Sequence, residues 1–294
     1  MYSSRSRTLR GASLLGLLLF ATLAAAPSTA QEKKQKPKWP KLSRTERTTL
    51  DRSHTAYAKA DEAEDADAVR AEHFDRMVEV GAGAARWAFR KLENDRVVEP
   101  EMLVELCRRV VSEDYTPLVA DELVDRKAPL HVRRFAAEFV SQRQDEGWTE
   151  ALTTGFEVDD ERVRFFSATG LFVLGDFTKL APIFEAAKTD WSRDQNYLEH
   201  LLPSVRGEDA FETLDDGLGS DRERDEVTAL RLARFLAPES VKLRIGLLLD
   251  SDRHNVKKEA INALRVIVDG KEPLENLDVF KAIQFANEWK ARLQ

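Results

Sequence analysis

The chain has 294 residues, of which 33% are charged and 43% are hydrophobic, and its formal net charge is −7 at pH 7. It contains 13 glycines, 10 prolines and one cysteine. This composition excludes collagen-like, disulfide-stabilised and wholly disordered proteins, and the single long apolar run argues against a polytopic membrane protein. Few helix breakers and many alanines, leucines, glutamates and arginines favour an all-α protein.

The first thirty residues have the three parts of a signal peptide. Three arginines precede a 15-residue apolar run over residues 12–26, and small residues follow at 28–30. Residues 1–30 are therefore predicted to be cleaved, in a secreted or periplasmic protein of the bacterial cell envelope. The alternative is an uncleaved anchor, for which this run is shorter than the ~20 residues that span a bilayer. Cleavage removes three arginines and no acid and leaves a net charge of −10, which disfavours nucleic acid and anionic membranes as partners.

Residues 31–42 form a basic segment with five lysines and two prolines. This composition predicts an extended and solvated linker. The linker serves either as a plain spacer or as a tether to an anionic polymer of the envelope.

Residues 43–99 are predicted to form the N-terminal helices. Ser43 and Glu46 have the spacing of a capping box, which predicts a first helix that ends near Lys59. Further along, apolar residues recur at helical spacing and predict one long amphipathic helix over residues 67–93.

The rest of the chain, residues 100–294, is predicted to be built on a repeat of about 31 residues. Three clear copies begin with a valine and a basic residue, have small or apolar residues 4, 5, 7 and 8 positions later, and have an aspartate 13 positions later. Three weaker copies keep part of this pattern. The copies begin at Leu103, Val132, Val163, Leu198, Ala229 and Val256. Each unit is then a helical hairpin that buries its apolar face against its neighbours.

Residues 160–176, DERVRFFSATGLFVLGD, resemble a short HEAT repeat of the type also seen in bilin-lyase-like proteins. The copy at Val256 lacks the late glycine, and Arg143 replaces the late leucine in the copy at Val132. The resemblance covers residues 100–270 and implies an α-solenoid of about six hairpins, HEAT- or armadillo-like, whose Val-Arg helices line a concave face. It implies no reaction, because such repeats serve as binding surfaces in unrelated systems.

A last helix over residues 274–293 is predicted to cap the solenoid. Val279, Ile283, Ala286 and Trp289 recur at helical spacing and are expected to face inward. The predicted organisation is therefore a leader, a linker, N-terminal helices, and a repeat region with its cap.

The sequence contains no catalytic, metal or cofactor motif. The five histidines lack metal-ligand spacing, and no HExxH, GxSxG or SxxK motif occurs. Cys107 is expected to be buried and inert. We therefore expect a protein that is not an enzyme and has no cofactor or metal.

Candidate binding residues come from an irregularity in the outward stripe of the repeats. Positions 2, 6 and 9 of a copy are expected to face water, and they are polar in most copies, as at Arg134 and Glu138. Phe165, Phe172 and Phe235 occupy such positions instead. They either form an exposed patch or are covered by another part of the chain. As a patch, they would give apolar contacts to a partner, and Arg134 and Glu138 would give polar ones.

The function favoured by the sequence is that of a monomeric binding or scaffold protein that takes a protein or peptide on its concave face. One alternative is an envelope enzyme or the accessory subunit of one. Another is a structural envelope protein held by its basic linker. Trp148 and Trp191 follow turn signals and either bind a sugar or peptide or hold a loop against the core.

Overall fold

The computed structural model describes residues 36–94, 96–205, 211–236 and 241–293, and every regular element in these ranges is a helix. The all-α class predicted from composition is therefore confirmed for this part of the chain. No helix within it is long and apolar enough to cross a membrane. The predicted signal peptide and residues 31–35 of the predicted linker lie outside the described residues.

Fifteen α-helices and five short 3-10 helices make up the described ranges. The N-terminal helices are α1 Arg44–Ala58, α2 Ala66–Val78 and α3 Gly83–Leu92. The next six are α4 Pro100–Val110, α5 Thr116–Val124, α6 Leu130–Ser141, α7 Thr149–Phe156, α8 Glu161–Val173 and α9 Leu180–Thr189. The last six are α10 Trp191–Leu201, α11 Phe211–Leu218, α12 Glu223–Leu236, α13 Val241–Leu248, α14 His254–Asp269 and α15 Val279–Leu293.

The predicted capping box of the first helix is confirmed. The Ser43 hydroxyl accepts a hydrogen bond from the Glu46 N–H at 3.2 Å, and the Glu46 carboxylate accepts one from the Ser43 N–H at 2.6 Å. The prediction of a single helix over residues 67–93 is wrong, because the helix is interrupted between α2 and α3. Gly81 lies there with φ +74°, a left-handed conformation that glycine adopts without steric cost.

Residues 36–42, which we call the strap, contain no helix, and some of them pack on the helices rather than being solvated throughout as predicted. The indole of Trp39 stacks on the Tyr115 ring with the centroids 5.0 Å apart. Leu42 lies over Gly83 of α3, where a Cβ atom would be 2.7 Å from the Leu42 Cδ2. The missing side chain at Gly83 therefore lets the strap approach the helix.

The helices beyond residue 100 are evenly spaced. The even-numbered helices α4 to α14 begin at residues 100, 130, 161, 191, 223 and 254, which are 30 to 32 residues apart. Helices two places apart in the chain pack side by side, as α4, α6 and α8 do, and also α12 and α14. The copies predicted to begin at Leu198 and Ala229 are out of register with this spacing. Arg193 and Asp225 hold the place of the first valine in α10 and α12.

Ion pairs join consecutive even-numbered helices. The paired residues are Arg108–Glu138, Arg134–Asp160, Arg162–Asp194 and Arg231–Glu259, at separations of 30, 26, 32 and 28 residues. Asp194 is fully buried, and its carboxylate is 2.5 Å from the Arg162 guanidinium. A carboxylate removed from water must be paired, so this contact specifies how α10 packs on α8.

Small residues lie where helices cross closely. A Cβ atom at Gly170 of α8 would be 2.8 Å from the Cβ of Ser141 in α6 and 3.0 Å from its Cα. Gly155 of α7 similarly faces Ser167 of α8. These side chains allow the close approach that the small residues of the repeat predict.

The last helix is shorter than predicted and partly rotated. It begins at Val279 instead of residue 274. Ala286 and Trp289 are buried as expected, but Val279 is 54% exposed and Ile283 is 46% exposed. Ala282 takes the inward position, which follows the i, i+4, i+7 spacing to the two confirmed residues.

Replacing Gly170 with alanine should lower the free energy of unfolding by about 1–3 kcal/mol, because the added methyl group meets the Ser141 backbone and the crossing must open. Urea denaturation followed by circular dichroism measures this change. Gly246→Ala is the matched control. Its Cβ would meet only the end of the flexible Leu293 side chain, so the gain in helix propensity should leave stability equal or slightly higher. Equal unfolding midpoints for Gly170→Ala and the wild type would contradict the close crossing.

Candidate functional site

Two of the three candidate phenylalanines are buried. Phe165 is 2% exposed and Phe172 is fully buried. The Tyr197 ring of α10 packs on Phe165 with the centroids 5.7 Å apart, and the Tyr197 hydroxyl lies 2.5 Å from the Ser141 hydroxyl of α6. Helix α10 therefore covers Phe165. The Phe177 ring packs edge-on against Phe172 with the centroids 5.7 Å apart, and neither phenylalanine is available to a partner. Of the two alternatives left open by the sequence, coverage by the chain is the correct one here.

The two polar candidates are engaged in ion pairs. The Arg134 guanidinium donates to both carboxylate oxygens of Asp160, and Asp160 also accepts from the N–H groups at the start of α8. Burial raises the pKa of Asp160. The hydrogen bonds from Arg134 and from these N–H groups together lower the pKa by more than burial raises it, so the net shift is downward. Glu138 pairs with Arg108 at 2.7 Å. Both residues thus join neighbouring helices.

The third phenylalanine lies at a cleft. Phe235 of α12 is half-buried, and its ring stacks on Trp191 of α10 with the centroids 6.2 Å apart and the planes 8° apart. The Arg231 guanidinium lies over the Trp191 ring at 5.4 Å from its centroid. Phe235 is therefore the candidate residue that keeps an accessible position.

A cavity of about 650 Å³ opens beside Phe235, and we call it the α12 cleft. It lies between α10, α12, α14 and the loop after α14. Its walls include Gln195, Arg234, Phe235, Val266 and Pro273. At its edge are Glu199, Lys271, Glu272 and Glu275. The cleft thus has an apolar wall, a cation within it and several charges at its rim.

Two guanidinium groups, of which only that of Arg234 lines the cleft, share a single carboxylate. Glu259, on α14, is 5% exposed and pairs with both Arg231 and Arg234. The Arg234 side chain is 6% exposed, and its Nε has no hydrogen-bond partner among the described residues. Burial and the nearby Arg231 cation lower the pKa of Arg234 to about 10, so the group remains charged at neutral pH. The cluster therefore has a net positive charge and an unused donor.

This arrangement suits an anionic group with an apolar neighbour. A ligand carboxylate accepts from buried guanidinium groups more strongly than from exposed ones, since less water competes. The Phe235 ring and the Val266 side chain offer apolar contact next to that position. The three rim glutamates favour a ligand that also has a positive charge outside the cleft.

The sequence alone did not identify Arg231, Arg234 or Glu259. Their signal was two arginines one helical turn apart in α12 and a glutamate 28 residues after Arg231, the same spacing that joins other helices. The shifted register of the copy at Ala229 concealed this correspondence. Within the described ranges, no group of three or more histidine, cysteine, aspartate or glutamate side chains is placed to hold a metal ion.

Comparison of the chain with protein-family models and with curated proteins found no match.

Replacement by alanine should distinguish the buried Phe165 from the accessible Phe235. Phe165→Ala should reduce the free energy of unfolding by about 3–5 kcal/mol, because it empties a closed core position. Phe235→Ala should cost about 1 kcal/mol, since that ring is already half in water. Urea midpoints for the two variants test this order. A Phe165→Ala protein as stable as Phe235→Ala would mean that Phe165 is accessible after all.

Proposed function

We propose that this protein is an exported α-solenoid, HEAT- or armadillo-like, that binds a segment of another protein in the α12 cleft without catalysing a reaction. The observation that carries this proposal is the buried cation of Arg234, which shares the Glu259 carboxylate with Arg231 and lines the cleft beside the accessible ring of Phe235. This cleft replaces the binding site that the sequence predicted around Phe165 and Phe172.

The solenoid arrangement is supported by three regularities. Helices begin at an almost constant interval, helices two places apart pack side by side, and ion pairs link residues 26 to 32 positions apart. Stacked hairpins produce all three, because equivalent residues in neighbouring units face each other. Such stacks offer clefts between units in which an extended segment of chain can lie.

The bound segment should have a carboxylate next to an aromatic or branched aliphatic residue. Arg234 supplies the positive charge for the carboxylate, and Phe235 supplies the apolar contact. Recognition of this kind concentrates binding energy in a few central residues surrounded by a polar rim. The rim acids Glu199, Glu272 and Glu275 then select for a basic residue nearby in the segment.

A peptide-display selection on the full chain identifies such segments. Enriched peptides should share an acidic residue or free C-terminal carboxylate beside an apolar residue. Binding of individual peptides is then measured by fluorescence anisotropy. Phe235→Ala should weaken binding about tenfold or more, which corresponds to about 1.4 kcal/mol. Replacing the peptide carboxylate with the amide should have an effect of similar size.

Phe280→Ala is the matched control, because Phe280 is 86% exposed on α15 and does not line the cleft. It should change peptide affinity less than twofold. If no peptide is enriched, or if the two alanine variants bind equally well, the α12 cleft is not the binding site.

A further inference from the structure

A second cavity lies between the strap and helices α1 and α3. It has a volume of about 550 Å³, and we call it the strap groove. Trp39, Pro40 and Leu42 of the strap form one side, and Trp87 of α3 forms part of the other. The groove is distinct from the α12 cleft and shares no residue with it.

The groove is strongly basic in a chain whose net charge is −7. Five cationic side chains line it, together with a single acid, Asp51. The lining cations are Lys41, Arg47, Arg86, Arg90 and Lys91. Asp51 is already used, because Lys91 pairs with it at 2.8 Å and the Trp87 indole N–H donates to it at 3.2 Å.

Three of these cations have no protein partner. Lys41, Arg47 and Arg90 are exposed, and no carboxylate in the described ranges is within ion-pair distance of them. Elsewhere many arginines pair across helices, as Arg134 and Arg162 do. Exposed Lys38 and Arg44 continue the row of unpaired cations along the strap and into α1. This surface therefore has unpaired positive charges that a ligand with several negative charges would pair with.

The strap is held in place by contacts at several points. Lys36 pairs with Asp121 of α5 at 2.5 Å, and Trp39 meets the Phe89 ring edge-on at 5.8 Å in addition to its stack on Tyr115. Its basic residues are thereby ordered beside α3 before any ligand arrives. Such preorganisation reduces the entropy cost of binding.

We propose that the strap groove binds an acidic polysaccharide, with its carboxylates on Arg47, Arg90 and Lys41 and its sugar rings against the uncovered part of Trp39 and against Pro40. Planar guanidinium groups bind carboxylates in a bidentate manner. Indole and proline surfaces suit the apolar faces of sugar rings. An open groove with exposed charges fits a chain that passes through it better than a small enclosed ligand.

Nucleic acid is a poorer fit for the same charges. Sequence-independent binding of single strands depends on aromatic faces that are free to stack on bases. Trp87 is 8% exposed, and one face of Trp39 is already stacked on Tyr115. The signal peptide predicted over residues 1–30 also directs the chain to the envelope, where acidic polysaccharides are available.

The test measures binding of the full chain to polygalacturonate, with neutral dextran, a single-stranded oligonucleotide and inorganic polyphosphate as comparison ligands at 0.1 M salt. Wild-type protein should bind polygalacturonate at least tenfold more tightly than any of the other three. The double variant Arg47→Glu, Arg90→Glu should lose at least tenfold in affinity for polygalacturonate. Circular dichroism should show it folded, because neither arginine pairs with a described residue.

Arg109→Glu, Arg126→Glu is the matched control. These arginines are exposed, pair with no described carboxylate and lie outside the groove. The control has the same net charge as the groove variant and should bind polygalacturonate within twofold of the wild type. Equal losses of affinity for polygalacturonate in the two double variants would show that the strap groove is not the binding site. Equal binding of oligonucleotide or polyphosphate would overturn the polysaccharide, and absence of wild-type binding would overturn both. None of these results bears on peptide binding in the α12 cleft.

Discussion

Each helical hairpin of this chain has an apolar face that it cannot bury alone, so the structure depends on close contact between helices about thirty residues apart. Small residues such as Gly170 permit that contact, and buried charges give it a unique register. Asp194 is removed from water entirely and pairs with Arg193 of its own helix. It also pairs with Arg162 of α8, whose guanidinium lies over the Phe165 and Phe166 rings. Sliding α10 along α8 would separate this pair, whereas apolar contacts alone would tolerate a shift.

Charged residues also limit what the sequence reveals. The capping box at Ser43 and the helical class follow from local chemistry, and both were predictable. The regular spacing of the helices was predictable where a valine is the third residue of the helix, as Val163 is in α8. In α10 and α12 polar residues hold that place, so an apolar pattern aligns best about one helical turn too late. The interruption of the helix at Gly81 was also hidden from the sequence. Apolar residues keep their helical spacing across it, although the backbone there is not helical.

The candidate sites show a related limit. Periodicity places Phe165 and Phe172 on the stripe that a lone hairpin turns to water, but it contains no information on which later helix covers that stripe. Tyr197 of α10 covers Phe165, and its hydroxyl lies beside that of Ser141 on a third helix. Phe177 covers Phe172. The strap shows the opposite error. Its composition predicts a solvated linker, but it packs on the helices. The stack of its tryptophan on Tyr115 and the glycine under Leu42 are among the contacts that hold it on the helices.

Charge distribution determines how the two proposed sites operate in one acidic molecule. The strap groove collects cations that lack partners, whereas the α12 cleft has cations inside a rim of glutamates. At 0.01 M salt the Debye length is about 30 Å, so an approaching polyanion meets the repulsion of the whole chain. At 0.15 M it is about 8 Å, and only charges near the contact act on the ligand. At physiological salt the net charge of the chain therefore opposes a polyanion at the proposed strap groove less than it does at low salt, and charges more than about 8 Å from a bound ligand are largely screened.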